Sequence, residues 1–368
     1  MTYPQQQLIF PDFETKTDDE LRAFCDPGDR QNPFFDFVGN QGVVNKLCRM
    51  LYTALGRENH DMSDMNLALL GPASCGKTTL AKRLARGAGL PFVEANPKEI
   101  GCNHDLFQKI CRVLAQPGYT HGDGTPVDLS LRPYNDVYHY IAPPIVILID
   151  EAHLMPKDVQ GGLLTATEKA DYKLITGEGV ILDTSNTCWI LATTERGRLC
   201  KALDSRFVKA YLKPYNQFEM ALIVHRNRPA VPLEVCERIA LYCGHIAREA
   251  IDFATEARAE RRRSGCDWFE AVETIRLEYG IDEFGMPEVH LEILKALARG
   301  GPISKFALRD VAECEIEELD EYIQPAMRRD GLIQTTSRGI GVTASGLAEL
   351  ERRGIGLGDR RSVAGAEG

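Results

Sequence analysis

Gly71-Pro-Ala-Ser-Cys-Gly76-Lys77-Thr78 fits the pattern G-x-x-x-x-G-K-[ST] of a phosphate-binding loop, the Walker A motif. It follows a short apolar run, Leu67 to Leu70, and opens a helical pattern over residues 77–86. A strand before the glycines and a helix after them are the context that this motif needs. Glycines let backbone N–H groups turn toward phosphates, and Lys77 adds a positive charge for the β- and γ-phosphates. We therefore expect nucleotide contacts from Gly71, Pro72, Cys75, Gly76, Lys77, Thr78 and Thr79.

A second motif, Ile145-Val-Ile-Leu-Ile-Asp150-Glu151, follows about 70 residues later and is typical of Walker B. Its apolar run predicts a fully buried strand that carries Asp150 at its carboxyl end. There Asp150 and the Thr78 hydroxyl can hold Mg²⁺, and Glu151 can polarise an attacking water. Asp-Glu could also merely begin a helix with favourable charges, but its spacing from Walker A disfavours this. The adjacent carboxylates favour hydrolysis over a scaffold that only binds nucleotide.

A third strand, predicted over residues 187–192, ends in Thr193 and Thr194. Hydroxyls at that place can hold the lytic water opposite Glu151, although they could simply cap a turn. Short buried strands alternating with helices predict an α/β fold with a parallel sheet covered on both faces. Further patterns are helical over 42–55 and 106–114, extended over 92–95, hairpin-like over 174–182 and loop-like over 117–133.

The chain divides by pattern into an arm, a large domain and two smaller domains. Residues 1–33 are polar and proline-rich, which predicts a mostly irregular arm, and residues 34–214 hold the motifs. After Pro214 the strands stop, and residues 215–283 have helical spacing. Residues 284–353 show short helices and then a hairpin over 332–343, which is the winged-helix pattern. Residues 354–368 predict a frayed tail.

Composition is that of an ordinary globular protein. Among the 368 residues, 44% are hydrophobic and 26% are charged, which excludes disordered and collagen-like classes. The longest apolar stretch, Tyr140 to Ile149, is too short to cross a membrane. Eleven cysteines without a Cys-x-x-Cys pair favour reduced thiols in the cytoplasm over disulfides or zinc. The net charge of −10 does not favour nucleic-acid binding, although a local basic face could still exist.

With these motifs the chain resembles the AAA+ ATPases of the RuvB type, the motors of Holliday-junction branch migration. The resemblance runs from about residue 30 to residue 352. The matching stretches are Phe37-Val-Gly39, Lys77-Thr-Thr-Leu-Ala81, Leu148-Ile-Asp-Glu-Ala-His153, Ala192-Thr-Thr-Glu-Arg196, Ser205-Arg-Phe207, Gly280-Ile-Asp-Glu-Phe-Gly285 and Gly331-Leu-Ile-Gln334. The resemblance implies a P-loop AAA+ domain, a helical lid and a C-terminal winged helix. It also implies ATP and Mg²⁺ as cofactors and a homo-oligomeric ring, a hexamer, on duplex or four-way-junction DNA in recombination and repair.

The resemblance also implies roles for single residues. Thr194 would be sensor 1, and Arg206 would be the arginine finger that reaches the neighbouring subunit's nucleotide. Arg30 would lie near the nucleotide, Tyr215 would pack by the adenosine, and Arg248 would be sensor 2. Glu168 lies in a segment that touches the neighbour's nucleotide in the family.

Departures from the family concern the surfaces that face partners. The hairpin that grips RuvA is shortened around residues 177–186, which argues against a RuvA-like partner. In the wing, Thr335 and Ile340 replace arginines, and only Arg338 is left as a DNA contact. Residues 284–350 carry seven cations and eleven anions. Since phosphate contacts supply much of DNA affinity, a second hypothesis is an ATPase switch or loader that remodels a protein partner through an acidic winged helix. The family match along most of the chain favours the DNA motor.

Overall fold

The computed structural model describes residues 8–9, 17–56, 62, 65–116, 119–120, 128–133, 138–244 and 246–355. The chain forms two compact units, Met1–Tyr215 and Asn216–Gly368. The predicted tail, residues 354–368, lies outside the described residues from 356 onward.

The first unit alternates strands and helices. Its strands are β1 (Leu8–Ile9), β2 (Leu67–Leu70), β3 (Phe92–Ala95), β4 (Tyr119–Thr120), β5 (Arg132–Pro133), β6 (His139–Ile141), β7 (Ile145–Ile149), β8 (Lys173–Ile175), β9 (Ile181–Asp183), β10 (Thr187–Thr193) and β11 (Val208–Tyr211). Its helices are α1 (Asp18–Phe24), α2 (Gln41–Leu55), α3 (Lys77–Gly87), α4 (Asn103–Leu114), α5 (Lys157–Ala166) and α6 (Lys201–Asp204).

The main sheet has the order β11-β2-β10-β7-β3, and every neighbouring pair is parallel. Alternation along β10 sends Cys188 and Ile190 to one face and Trp189 and Leu191 to the other. The first face packs against α2 and α3, and the second against α4 and α5. The predicted α/β fold with a doubly covered parallel sheet is confirmed. Because parallel strands share their carboxyl ends, the loops after β2, β7 and β10 meet at one edge.

The N-terminal arm, predicted as mostly irregular, contains one helix among its described residues. Residues 18–24 form α1, which a capping box of Thr17 and Glu20 begins. Leu21 and Cys25 are buried in the core beside α2. The proline-rich composition hid a short helix whose capping box and single apolar face are local signals.

Within the segment predicted as a long surface loop, residues 117–133, the structure describes residues 119–120 and 128–133. Leu129 is buried, and β5 pairs antiparallel with β6. β6 in turn pairs with β9, so the predicted hairpin β8–β9 lies in a four-stranded sheet of order β5-β6-β9-β8. The hairpin itself is confirmed, and residues 121–127 lie outside the described part of the chain.

The second unit begins with helices. These are α7 (Gln217–Asn227), α8 (Leu233–Tyr242), α9 (Ala247–Ser264), α10 (Trp268–Glu278), α11 (Glu288–Gly300), α12 (Lys305–Ala312), α13 (Ile316–Glu318) and α14 (Gln324–Arg329), the last two joined by a π-helical turn over Leu319–Ile323. The antiparallel strands β12 (Ile333–Thr336) and β13 (Gly339–Val342) follow, and α15 (Ala344–Arg352) ends the unit. The order of helices and hairpin matches the pattern expected from the sequence, whereas α15 was not predicted.

Within this unit, α11 to α15 surround their own core, which includes Leu294, Leu308 and Met327. Two arginines join this part to the preceding helices. Arg329 donates to the Gly244 carbonyl at 2.7 Å, and Arg353 pairs with Asp282. The separation into a lid over 215–283 and a winged helix over 284–353 stays a prediction.

Two global expectations can be compared with the structure. All eleven cysteines are free thiols, as expected from their spacing. Among the described residues, no helix combines the length and the apolar character that a membrane span requires.

Candidate active site

The loop between β2 and α3 has a backbone that requires glycine. Gly76 has φ +90°, and a Cβ there would lie 2.7 Å from the Tyr215 hydroxyl and from the Phe37 ring. A Cβ at Gly71 would lie 2.7 Å from the Leu212 carbonyl oxygen. Ser74 also has a positive φ, +57°. Mixed left- and right-handed residues are what make a loop concave toward an anion.

Lys77 is almost wholly buried at the start of α3, with 6% of its surface exposed. Its Nζ donates to the carbonyl oxygens of Gly71 at 2.9 Å and Pro72 at 2.8 Å. Among the described residues, no carboxylate lies within ion-pair distance of this ammonium group. A buried cation that only neutral carbonyls surround favours an anion beside it. The residues of this loop therefore fit a bound phosphate group.

Thr78 and Asp150 meet although 72 positions separate them. The Thr78 Oγ1 donates to Asp150 Oδ2 at 2.7 Å, and Asp150 Oδ1 accepts from the backbone N–H of Glu151 at 3.0 Å. The two residues are close because of the strand order. Thr78 follows β2 and Asp150 follows β7, and these two strands lie on either side of β10. A hydroxyl and a carboxylate supply the oxygen ligands that Mg²⁺ prefers.

Glu151 stands in a strained conformation beside this pair, with φ +50°. Its Oε2 is buried and accepts no hydrogen bond from any residue that the structure describes. His153 Nδ1 lies 3.4 Å from that oxygen and 3.0 Å from Thr193 Oγ1. Thr194, the next residue, is exposed at the end of β10. The structure thus brings the ends of β7 and β10 together around a Glu151 oxygen that has no hydrogen-bond donor among the described residues.

Tyr215 closes the other side of the loop. It is 4% exposed, and its hydroxyl donates to the Cys75 carbonyl at 2.9 Å. The Cys75 thiol donates to the Pro72 carbonyl at 3.0 Å, and burial raises the pKa of that thiol. Cys75 is therefore a structural part of the loop and not a reactive thiol.

Arg206 lies in the turn after α6 and points toward its own subunit. Its guanidinium donates to the Leu164 carbonyl and pairs with Glu168. Both Arg206 and Glu168 were expected near the nucleotide of a neighbouring subunit, whereas their contact with each other was not expected. An arginine and a glutamate 38 positions apart carry no local signal for pairing.

Three further arginines that were predicted as site residues are exposed. Arg30 is exposed in the turn between α1 and α2. Arg248 is exposed near the start of α9, and Arg338 is exposed in the two-residue turn of the β12–β13 hairpin. Their side chains are open to solvent on the chain described here.

Comparisons with known proteins agree with this geometry. The family model described as "ATPase family associated with various cellular activities (AAA)" matches residues 67–215, which contain both Walker motifs. The fold, the loop and this match define an ATPase of the AAA class.

The curated relatives narrow this class. The Holliday junction branch migration complex subunit RuvB of Paramagnetospirillum magneticum is 27% identical over 86% of this chain and 86% of its own length. The RuvB subunit of a Synechococcus species is 26% identical over 90% of this chain and 88% of its own length. These matches support the divergent AAA+ ATPase of the RuvB type that the motifs predicted.

The fold agrees with solved structures as well. The Thermotoga maritima RuvB Holliday junction branch migration motor superposes with a TM-score of 0.64 at 24% identity, covering 86% of this chain and 95% of that one. At this identity the match supports the shared fold.

Proposed function

We propose that this chain is an ATP-driven, Mg²⁺-dependent motor that acts on duplex or Holliday-junction DNA in recombination and repair. The observation that carries the proposal is the contact of Thr78 with Asp150 beside Glu151, whose Oε2 accepts no hydrogen bond from the described residues. The chain is also similar to RuvB subunits along about nine-tenths of its length. That arrangement has the parts that P-loop ATP hydrolysis needs. The reduced cysteines fit a cytoplasmic protein.

In this proposal the loop residues 71–79 hold the triphosphate. The buried Lys77 ammonium faces the β- and γ-phosphates, and Thr78 with Asp150 holds Mg²⁺. Bound Mg²⁺ would neutralise charge that develops on the phosphate oxygens. Tyr215 packs by the adenosine, and we assign the remaining nucleotide contacts to Arg30 and, as sensor 2, to Arg248.

Glu151 is the proposed general base. Its Oε2 has no hydrogen-bond donor among the described residues, so its lone pairs are available to take a proton from water. Thr194, as sensor 1, would position that water from the adjacent strand end. Water attacks the γ-phosphorus, the bond to the β-phosphate oxygen breaks, and the water's proton moves to the Glu151 carboxylate.

Arg206 is proposed to act on the nucleotide of the neighbouring subunit in a ring of six. Arg206→Ala should lower kcat by about 10³-fold or more, because an arginine finger stabilises charge in the transition state. Mixing Arg206→Ala with Lys77→Ala protein in equal amounts should recover activity at about a quarter of the interfaces, those that pair an intact Arg206 with an intact Lys77. Steady-state ATPase rates of the mixture and of each variant alone measure this.

The matched control for this mixing experiment is Arg132→Ala, an exposed arginine paired with Asp128. It should keep the wild-type rate. A monomeric protein with full ATPase activity would contradict the assignment of Arg206 to the neighbouring site. No recovery in subunits shown to exchange would contradict it as well.

DNA as the substrate is tested by ATPase rates with duplex, four-way-junction and single-stranded DNA at one fixed salt concentration. The motor proposal expects the junction or the duplex to raise the rate several-fold, with Lys77→Ala inactive throughout. Arg338→Ala should then weaken binding to all sequences alike and lower the salt slope by roughly one. Arg309→Ala, whose guanidinium pairs with Asp310, is the matched control. Equal ATPase rates with and without every DNA would overturn the proposal.

A second candidate function, remodelling of a protein partner, is favoured by the charge on α13 and its flanks. Exposed carboxylates there are Glu313, Glu315, Glu317, Glu318 and Asp320. Lys305 and Arg309, on α12, are already paired with Asp320 and Asp310. Such a face repels DNA phosphates and suits a basic protein surface. It predicts ATPase activity that DNA leaves unchanged.

We do not assign a RuvA-like partner to the β8–β9 hairpin. Its strands have three residues each, and β9 is paired with β6. A hairpin held in a four-stranded sheet is less free to project toward another protein. If the motor binds a protein partner, we expect it to use a surface other than this hairpin.

A further inference from the structure

We infer that Glu195 and His153 are positioning residues that keep the Glu151 carboxylate free to act as a base. The inference rests on the role proposed for Glu151. Glu195 and His153 do not touch the expected phosphates or metal ligands in this structure. They determine which nitrogen of the His153 imidazole carries the hydrogen, and through it they affect Glu151.

The geometry is a closed ring of three side chains. The backbone N–H of Glu195 donates to Thr193 Oγ1 at 3.0 Å, and that hydroxyl lies 3.0 Å from His153 Nδ1. On the other side of the imidazole, Nε2 lies 3.7 Å from Glu195 Oε1. Arg198 holds the second carboxylate oxygen of Glu195 at 2.8 Å. The imidazole is nine-tenths buried, so these partners replace most of its contact with water.

This ring selects one tautomer of neutral His153. Carboxylates flank both ring nitrogens, so the Thr193 hydroxyl decides between them: its oxygen accepts from the Glu195 N–H, and its hydrogen has Nδ1 as an acceptor at 3.0 Å. The imidazole hydrogen is then on Nε2, where the negative charge of Glu195 favours it. Nδ1 then carries a lone pair and accepts from the Thr193 hydroxyl, whose own lone pair accepts from the Glu195 N–H. In this arrangement the Thr193 hydroxyl and His153 Nδ1 are both satisfied, whereas Glu195 acts on Nε2 through its charge at 3.7 Å and not through a direct hydrogen bond.

The tautomer of His153 decides whether the imidazole can donate a hydrogen bond to Glu151. Its buried Oε2 lies 3.4 Å from Nδ1 and has no donor among the described residues. With the hydrogen on Nε2, the imidazole cannot donate to this oxygen, so the carboxylate keeps its lone pairs for water. In the other tautomer, Nδ1–H could donate to this oxygen and occupy the lone pair that would otherwise be open to water.

Glu195→Gln tests this directly, because an amide side chain can donate to Nε2 and so favour the Nδ1–H tautomer. We expect kcat to fall about tenfold while the Kd for a non-hydrolysable ATP analogue stays unchanged, since outer-sphere partners commonly change activity by that factor. Glu195→Asp, which keeps the charge, should restore most of kcat. The control Glu94→Gln removes a carboxylate of similar exposure that pairs with Lys82 and should have no effect.

Two measurements separate positioning from a merely structural role. ¹⁵N spectra of histidine-labelled protein report which imidazole nitrogen carries the hydrogen, and we expect Nε2–H for His153 in the wild type and Nδ1–H in Glu195→Gln. In a His153→Ala background, adding Glu195→Gln should lower kcat little further. A wild-type Nδ1–H tautomer, or the same tenfold loss without His153, would overturn the inference.

The tautomer measurement needs no turnover. If the chain failed to hydrolyse ATP under any condition, the proposed function would fail, whereas the spectra would still decide whether Glu195 sets the His153 tautomer.

Discussion

Lys77→Ala is expected to abolish nucleotide binding, with an affinity at least about 100-fold weaker. The Lys77 ammonium is buried, and its hydrogen bonds to the described residues go to the carbonyls of Gly71 and Pro72, so its charge is available to an anion that the loop binds. Hydrogen bonds that involve a charged group contribute about 1.5–3 kcal/mol each, and the β- and γ-phosphates can accept more than one from this group. Isothermal titration with an ATP analogue measures the loss.

The same substitution should not destabilise the free protein. Lys77 has no anionic partner among the described residues, so its removal relieves a buried, uncompensated charge. We expect the Tm without nucleotide to stay equal or to rise, while the stabilisation by added nucleotide disappears. Lys82→Ala, on the same helix but half-exposed and paired with Glu94, is the matched control and should bind normally. Wild-type affinity in Lys77→Ala would disprove the assignment of the phosphate site.

Glu151→Gln is expected to bind ATP with normal affinity and to lower kcat by about 10²–10⁴-fold. The substitution keeps the shape of the side chain and the backbone at φ +50° but removes the group that takes the proton. Single-turnover hydrolysis together with analogue binding separates the two effects. Glu99→Gln, an exposed carboxylate paired with Lys109, serves as the control.

A wild-type rate in Glu151→Gln would mean that another group is the base. A loss of binding would instead mean that Glu151 holds the nucleotide and not the water. Both outcomes would also remove the basis for the role inferred for Glu195, whereas the tautomer of His153 would remain measurable.

Local patterns were sufficient for the sheet and the loop. Leu67–Leu70, Ile145–Ile149 and Thr187–Thr193 are short continuous apolar runs, and such runs become strands buried on both faces. Walker A needs glycine at position 76 because of a backbone φ of +90°, which is a local requirement. Among the elements that were not predicted, α1 and α15 are short helices whose caps, Thr17 and Thr343, are also local but weak signals.

The sequence alone determined which residues carry the proposed chemistry. Residue type and spacing after a buried strand are enough to identify them, and both can be seen along the chain: Lys77, Thr78, Asp150 and Glu151. Only the tertiary structure decided their surroundings. The pairing of Arg206 with Glu168 and the ring of Thr193, His153 and Glu195 join chain segments brought together by sheet order. Hydrogen bonds depend on ångström distances and directions, and no pattern of residue types along a chain contains that information.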